Sequence, residues 1–123
     1  MTWRLGDHGF EMSLSTTVPD LIATSLRSWL STWLGRQGFG LDDIAHWAIH
    51  PGGPRIVSAV AEALELPTEA TDASRGILAD YGNMSSPTIL FIMDRLQQQG
   101  ASGPCLMIAF GPGLAAELAL VLL

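Results

Sequence analysis

Residues 45–54 read Ala-His-Trp-Ala-Ile-His-Pro-Gly-Gly-Pro, and the fold can be worked out from this stretch in both directions. The mostly apolar run at 45–49 predicts a short buried strand. Pro54 is typical of the first turn of a helix, where its missing N–H breaks no hydrogen bond, and the apolar spacing that follows predicts a helix over 54–65. His50 therefore follows a strand directly. In open α/β sheets, sites lie beyond the carboxyl ends of the strands.

The flanking sequence predicts the other elements of an α/β domain. Loose alternation over residues 3–16, interrupted by Asp7-His8-Gly9, indicates a hairpin of two short strands. The remaining elements are a helix at 19–35 that Thr17 caps and Gly35 ends, a helix from Thr71 or Asp72 to Tyr81, a helix from Pro87 to Gln99, and strands at 105–110 and 117–123. The order ββ-α-β-α-α-α-β-β predicts helices packed on a mixed sheet, with 105–110 as a central strand.

Two helices carry apolar stripes that predict which faces turn toward the core. In the first helix the stripe consists of Leu21, Ile22, Leu26, Trp29, Leu30, Trp33 and Leu34. In the fourth helix it consists of Ile89, Leu90, Ile92, Met93 and Leu96. Two tryptophans on one stripe are more typical of a core or a subunit interface than of a ligand cage.

The composition excludes several classes of protein. A chain of 123 residues forms one domain, and its 48% hydrophobic and 15% charged residues exclude intrinsic disorder. The net charge of −6, with six arginines and no lysine, argues against a nucleic-acid-binding protein. A single cysteine, Cys105, excludes a disulfide framework and a Cys-rich zinc site. The first residues contain no apolar signal segment, and the apolar tail at 114–123 is too short to span a bilayer, so a cytoplasmic location is expected.

Three loops carry residues that could act in catalysis or binding. The first contains His50, the second presents Asn83 between a helix end and a helix start, and the third, 111–113, follows the central strand. If the histidine and asparagine side chains converge, both can donate hydrogen bonds to a developing oxyanion. The alternative interpretations are structural, because a lone histidine is often a structural hydrogen-bonding group and an Asn after Gly is often a turn residue.

Three other patterns allow chemical interpretations that have weak support. Residues 111–116 match the loose dinucleotide pattern G-x-G-x-x-A, but too few residues follow for a βαβ unit. His46 and His50 lie on one face of a strand, without an evident third metal ligand. Cys105 begins a buried strand rather than a helix, where a thiolate would lack support, so we expect a core residue instead of a nucleophile.

Together the loops resemble the chalcone synthase-like family, the type III polyketide synthases. The matching motifs are Trp47–Pro54, Tyr81–Ser86 (Tyr-Gly-Asn-Met-Ser-Ser), Phe110–Leu114 (Phe-Gly-Pro-Gly-Leu) and Val18–Ile22 (Val-Pro-Asp-Leu-Ile). Their order and intervals also match, over nearly the whole chain. The resemblance implies that residues 1–123 form the C-terminal thiolase-type half of such an enzyme. Related β-ketoacyl-ACP synthases III share the histidine and asparagine but lack the Pro-Gly-Gly-Pro and the Met-Ser-Ser.

The resemblance implies a role for individual residues. His50 and Asn83 match a catalytic pair that hydrogen-bonds the thioester carbonyl of malonyl-CoA and stabilises the enolate left by loss of CO₂, and the histidine also holds the nucleophilic cysteine as a thiolate. The implied substrate-binding positions are Met12 in place of a gatekeeper phenylalanine, Ser85 in the cavity lining, Arg55 beside the pantetheine tunnel, and Phe110, Gly111, Pro112 and Gly113 in a wall near the growing chain. Coenzyme A thioesters are the implied substrates, without a metal or another cofactor.

Chains of this family are much longer, and the resemblance places their nucleophilic cysteine and most basic CoA-binding residues in an N-terminal half that this sequence lacks. We therefore expect an acyltransferase as the full-length protein and an inactive chain in isolation. The faces of Trp29 and Trp33 and an open sheet edge would stay uncovered, which predicts a homodimer or a higher oligomer. The alternatives are a β-ketoacyl-ACP synthase III-like condensing enzyme and a non-catalytic oligomerising interaction module.

Overall fold

His50 lies at the end of a parallel strand pair in the computed structural model, which describes residues 2–7, 9–13, 17–111 and 115–123. The elements are β1 (Thr2–Gly6), β2 (Gly9–Ser13), α1 (Val18–Arg36), β3 (His46–Ile49), α2 (Pro54–Leu64), α3 (Asp72–Tyr81), α4 (Pro87–Gln98), β4 (Pro104–Phe110) and β5 (Ala116–Leu122), with short 3₁₀ turns at Leu41–Asp43 and Thr68–Thr71. The predicted order and the α/β fold class are confirmed. Within the described residues no helix is long and apolar enough to cross a bilayer.

The main sheet has the strand order β3-β4-β5, so β4 is central as predicted. β3 runs parallel to β4, with His46 opposite Cys105 and Ile49 opposite Ile108. β5 runs antiparallel to β4, and β1 and β2 form a separate antiparallel hairpin. The sheet is therefore mixed. The loops after β3 and β4 leave it at the same edge, because parallel strands end on the same side.

Helices cover both faces of the main sheet. Alternate residues of a strand point to opposite faces. On one face the residues Trp47 and Ile49 pack with apolar side chains of α1 and α2, and on the other Ala48 and Cys105 pack with α3 and α4. The result is a three-layer α/β/α arrangement that buries β3 and much of β4, whereas every residue of β5 is partly or fully exposed.

Two details of the helix ends differ from the sequence-based expectation. α1 continues past Gly35 to Arg36, and the chain reverses at Gly38, which adopts φ 80°. The reversal needs a left-handed residue, and Gly38 supplies it while Gly35 remains helical. Thr71 precedes α3 as predicted, but its hydroxyl donates to the Thr68 carbonyl at 3.0 Å and does not cap a helix N–H.

The predicted apolar stripes are wider than the faces that the structure buries. In α1 the buried residues are Val18, Ile22, Leu26, Leu30 and Leu34, which follow a spacing of four. Leu21 and Trp29 are 48% and 42% exposed, whereas Trp33 packs partly against the core. In α4 the side chain of Leu90 is 63% exposed, so its assignment to the inner face is wrong. α1 packs mainly on α2, and a helix packed on a helix buries one line of residues and leaves the neighbouring ones exposed.

Candidate active site

The loop after β3 begins with His50, whose backbone is fixed by the sheet. Its N–H donates to the Ile108 carbonyl at 2.8 Å, which extends the bonding between β3 and β4 by one residue. Its own carbonyl accepts the Gly52 N–H at 3.0 Å as the chain turns toward Pro54 and α2. Pro51 is buried beneath this turn. The imidazole therefore stands, half-buried, at the carboxyl edge of the sheet.

The loop between α3 and α4 is held by hydrogen bonds from its own side chains. Oδ1 of Asn83 accepts the Ser85 N–H at 2.9 Å. Oγ1 of Thr88, a fully buried residue, accepts the Met84 N–H at 2.8 Å. Asn83 itself is exposed, and within the described part of the chain its Nδ2 has no acceptor. The carboxamide is thus fixed through its oxygen and free to donate through its nitrogen.

A hydrogen bond joins these two loops. Nε2 of His50 lies 2.9 Å from the carbonyl oxygen of Ser85. Because a carbonyl oxygen can only accept, Nε2 carries the proton and donates. Ser85 therefore bridges the pair, since its N–H bonds Asn83 and its carbonyl bonds His50. Its φ of 63° lies in the left-handed region that non-glycine residues rarely adopt.

Gly111, the first residue of the third loop, follows β4 at the same edge of the sheet. The Gly111 N–H donates to the Ala115 carbonyl at 2.7 Å. Phe110 lies in a mostly apolar groove of about 320 Å³, whose lining residues are Leu21, Ile22, Ser25, Leu26, Trp29, Phe110 and Ala116. Pro112 and Gly113 lie outside the described residues. So does the side chain of Met12, whose backbone pairs with Trp3 in the hairpin.

Arg55 lies on a different surface from Phe110. It occupies the first turn of α2, is exposed, and lines a groove of about 310 Å³ between α1 and α2. Asp20 and Glu62 line the same groove, so its charge is mixed. The structure thus brings His50, Asn83 and Ser85 together directly, while Phe110 and Arg55 belong to two separate grooves.

Cys105 lies at the start of β4, away from the histidine. Ile108, whose carbonyl bonds His50, is three residues further along the strand, which corresponds to about 10 Å. Burial raises the pKa of the Cys105 thiol to about 11, and its Sγ lies 3.8 Å from Sδ of Met93. The expected core position is confirmed, and the thiol stays protonated at neutral pH.

His46 occupies the opposite end of β3 from His50. Its Nε2 lies 3.1 Å from the Ser102 carbonyl. Among the described residues there is no group of three His, Cys, Asp or Glu side chains that could hold a metal ion.

Sequence reasoning missed two buried hydroxyl groups that support the site. Oγ of Ser74, in α3, accepts the Ile49 N–H at 3.0 Å and so fixes the end of β3. Thr88 fixes the Asn83 loop from the first turn of α4. Thr88 could have been noticed as a polar residue within an apolar helix, five positions after the asparagine. Ser74 is 25 residues from its partner, and no local spacing indicates the contact.

Comparison with known proteins identifies the family of the chain. All 123 residues match the family model described as "Chalcone and stilbene synthases, C-terminal domain". The chain belongs to this family. A family relative, 1,3,6,8-tetrahydroxynaphthalene synthase of Streptomyces peucetius subsp. caesius, is 38% identical over an alignment of 122 residues that covers 97% of this chain and 32% of the relative. Type III polyketide synthase C of Arabidopsis thaliana is 37% identical over 123 residues, covering 93% of this chain and 32% of the relative.

Solved structures of the family agree with the fold. The crystal structure of 1,3,6,8-tetrahydroxynaphthalene synthase from Streptomyces coelicolor A3(2), described as a bacterial type III polyketide synthase, matches with a TM-score of 0.85 and 31% identity over 97% of this chain and 35% of that one. The fold is thus the thiolase-type C-terminal half of this family. The chain spans about a third of the length of the relatives that it matches.

Proposed function

We propose that this chain is the C-terminal part of a type III polyketide synthase, which joins an acyl-CoA starter to malonyl-CoA with loss of CO₂. The observation that carries the proposal is the Ser85 bridge, which holds His50 and Asn83 as two hydrogen-bond donors at one sheet edge. The family of the chain and the type III polyketide synthases among its relatives support the same reaction.

The two donors suit the decarboxylation of malonyl-CoA. In this step the bond between the carboxylate carbon and C2 breaks, CO₂ leaves, and the electron pair moves onto the thioester carbonyl as an enolate. Asn83 donates to that oxygen from its free Nδ2. His50 donates from Nε2, which now bonds the neutral Ser85 carbonyl. Hydrogen bonds to an ionised group are about twice as strong as neutral ones, so the forming oxyanion competes successfully for this proton.

Condensation needs a cysteine that carries the acyl group, and this chain does not place one at the site. The enolate carbon attacks an acyl group held as a thioester on a cysteine, a C–C bond forms, the C–S bond breaks and the thiolate leaves. Cys105 cannot serve, because it is buried at the far end of β4. We propose that the rest of a longer protein, an N-terminal half of the same fold, supplies the cysteine and that His50 pairs with its thiolate. The isolated chain is then inactive in condensation.

The remaining site residues are proposed to contact the substrate. Phe110, with the loop at 111–113, forms an apolar wall for the growing chain, and the groove beside it offers about 320 Å³. Ser85 and Met12 line the reaction cavity, and the pantetheine arm passes the backbone at Arg55. The substrates are coenzyme A thioesters, with no metal or further cofactor, and the proposed location is the cytoplasm.

A second candidate function is a non-catalytic module that oligomerises. The exposure of Leu21 and Trp29 beside an apolar groove favours it, because uncovered apolar surface recruits another chain. The DNA upstream of the first codon separates the two candidates. A reading frame that continues in phase and encodes a cysteine nucleophile supports the synthase, and a stop codon just before Met1 supports the module.

The direct test is an assay of the full-length protein with malonyl-CoA and a panel of acyl-CoA starters, read by mass spectrometry. We expect release of CO₂ and products heavier than the starter by whole acetyl-derived units. If malonyl-CoA is not consumed with any starter, the proposal is rejected. The 123-residue chain is the matched control and should give no condensation product.

A further inference from the structure

The Ser85 carbonyl is the point at which the site is held together. It accepts two hydrogen bonds, from Nε2 of His50 at 2.9 Å and from the backbone N–H of Thr88 at 3.0 Å. A carbonyl oxygen has two lone pairs, so both are in use. The position of the histidine ring therefore depends on where the first turn of α4 holds this carbonyl.

The hydroxyl of Thr88 adds the second constraint. Thr88 is fully buried, and its Oγ1 accepts the N–H of Met84 at 2.8 Å. Met84 lies between Asn83 and Ser85, so this bond holds the loop from which both the carboxamide and the bridging carbonyl project. Ser85 stays left-handed at φ 63°, a conformation that persists only where the surroundings enforce it.

We propose that Thr88 is a positioning residue, which fixes His50 and Asn83 in one arrangement through the Ser85 carbonyl and the Met84 amide. It touches no substrate and acts only through these backbone groups. The inference deepens the proposed function by naming what pre-organises its two donors. The hydrogen-bond part of the inference can be tested without any enzyme activity.

Three variants of the chain separate the hydroxyl from general packing. Thr88→Val keeps the shape and removes the acceptor, and Thr88→Ser keeps the acceptor. Thr71→Val is the matched control, because Thr71 is also buried but its hydroxyl bonds Thr68 and Arg75, outside the site loop. The readouts on ¹⁵N-labelled chain are the exchange rate of the Met84 amide and the signal of the His50 Nε2–H, which is visible only while the proton is protected.

Thr88→Val should speed exchange of the Met84 amide about 10- to 100-fold and weaken or remove the His50 Nε2–H signal. Thr88→Ser and Thr71→Val should resemble the parent. A parent-like His50 signal in Thr88→Val would overturn the proposal, and so would loss of that signal in Thr88→Ser. If Thr88→Val does not fold, Thr88→Cys, with a weak acceptor of similar size, takes its place and should give intermediate exchange; a parent-like result there overturns the proposal.

Activity of the full-length protein provides an independent arm. In Thr88→Val the kcat for malonyl-CoA decarboxylation should fall about tenfold or more with little change in KM, and Thr88→Ser should restore it. An unchanged kcat in Thr88→Val contradicts the positioning role. If the parent protein does not decarboxylate malonyl-CoA, the proposed function fails, while the exchange results still decide whether Thr88 holds the Met84 amide and the His50 ring.

Discussion

The carboxyl edge of the sheet and the outer face of α1, which carries Leu21 and Trp29, differ in how many of their groups find partners within the chain. At the edge, backbone and side-chain polar groups of two loops bond one another, and the Nδ2 of Asn83 is left to donate. On α1, Leu21 and Trp29 stand about half exposed over an apolar groove. The first region is pre-organised within this chain. The second leaves apolar side chains partly exposed to solvent.

The difference shows which part of the proposed enzyme this chain can hold ready by itself. The Asn83 carboxamide is fixed before substrate arrives, and the His50 Nε2–H has only to exchange the Ser85 carbonyl for the developing charge. Apolar surface, in contrast, makes no directional contacts. The edge is therefore open to chemical tests, and the α1 face to tests of association.

The largest effect is expected for His50→Ala in the full-length protein. The change removes one oxyanion donor and the proposed partner of the thiolate, so malonyl-CoA decarboxylation should fall by at least about 10²–10³-fold. His46→Ala is the matched control, because His46 bonds the Ser102 carbonyl at the other end of β3. Decarboxylation measured as CO₂ release should be near the parent rate in His46→Ala. Equal losses in both variants would show that His50 acts only through the fold.

Two substitutions of Asn83 separate its donor from its role in the loop. Asn83→Asp keeps an oxygen for the Ser85 N–H but removes the Nδ2 donor, and Asn83→Ala removes both. Both should lower decarboxylation about 10²-fold, while Asn83→Ala still loads the starter onto the cysteine. Loading is measured by mass spectrometry of the acyl-enzyme. Parent-like decarboxylation in Asn83→Asp would refute the donor role.

The elements of the fold could be predicted because local residues determine them. Proline at the start of α1, α2 and α4, together with Gly82 after α3, mark their boundaries, and the apolar run at 105–110 marks the central strand. The residues alone predict the convergence of the loops only as a condition, since no spacing in the sequence measures the distance between His50 and Asn83, and it is the family resemblance that implies a catalytic pair. The Ser85 bridge depends on a left-handed backbone at a serine, which composition does not indicate.

The exposure of Leu21, Trp29 and Leu90 could not be predicted from helical spacing for a different reason. Spacing shows which residues share a side of a helix. How many of them are buried depends on the width of the surface that packs against the helix, and the helix sequence does not contain that information. The buried residues of α1 follow one line at a spacing of four, α1 makes its main contact with α2, and the apolar neighbours Leu21 and Trp29 remain outside. Thr88 and Ser74 were missed because their partners are backbone N–H groups. Every residue type except proline has such a group, so the sequence does not show which of them bonds a side chain.

A smaller effect concerns stability at high pH. Burial raises the pKa of Cys105 from 9.0 to about 11, so the unfolded thiol ionises first as the pH rises. The stabilisation is complete below pH 9 and is lost as the pH rises toward 11, by on the order of 2 kcal/mol. Chemical denaturation of the chain at pH 8 and pH 10.5 should show this loss, and Cys105→Ala should lack it. The same pH dependence in both proteins would mean that the thiol is not the group responsible.

Substitutions on the outer face of α1 should change the free energy of unfolding least. Their effect should appear in the association of chains. The chain should form a dimer or larger species, because Trp29 is exposed and, within the described residues, no strand pairs with the outer edge of β5. Trp29→Gln should weaken this association in light scattering and change the free energy of unfolding of the dilute chain by less than about 1 kcal/mol. Its neighbour Leu30 is the contrasting position: it is 0% exposed, and Leu30→Ala should cost about 2–5 kcal/mol. A parent chain that is monomeric at high concentration would show that the α1 face needs no partner, and a Trp29→Gln cost as large as that of Leu30→Ala would place Trp29 in the core after all.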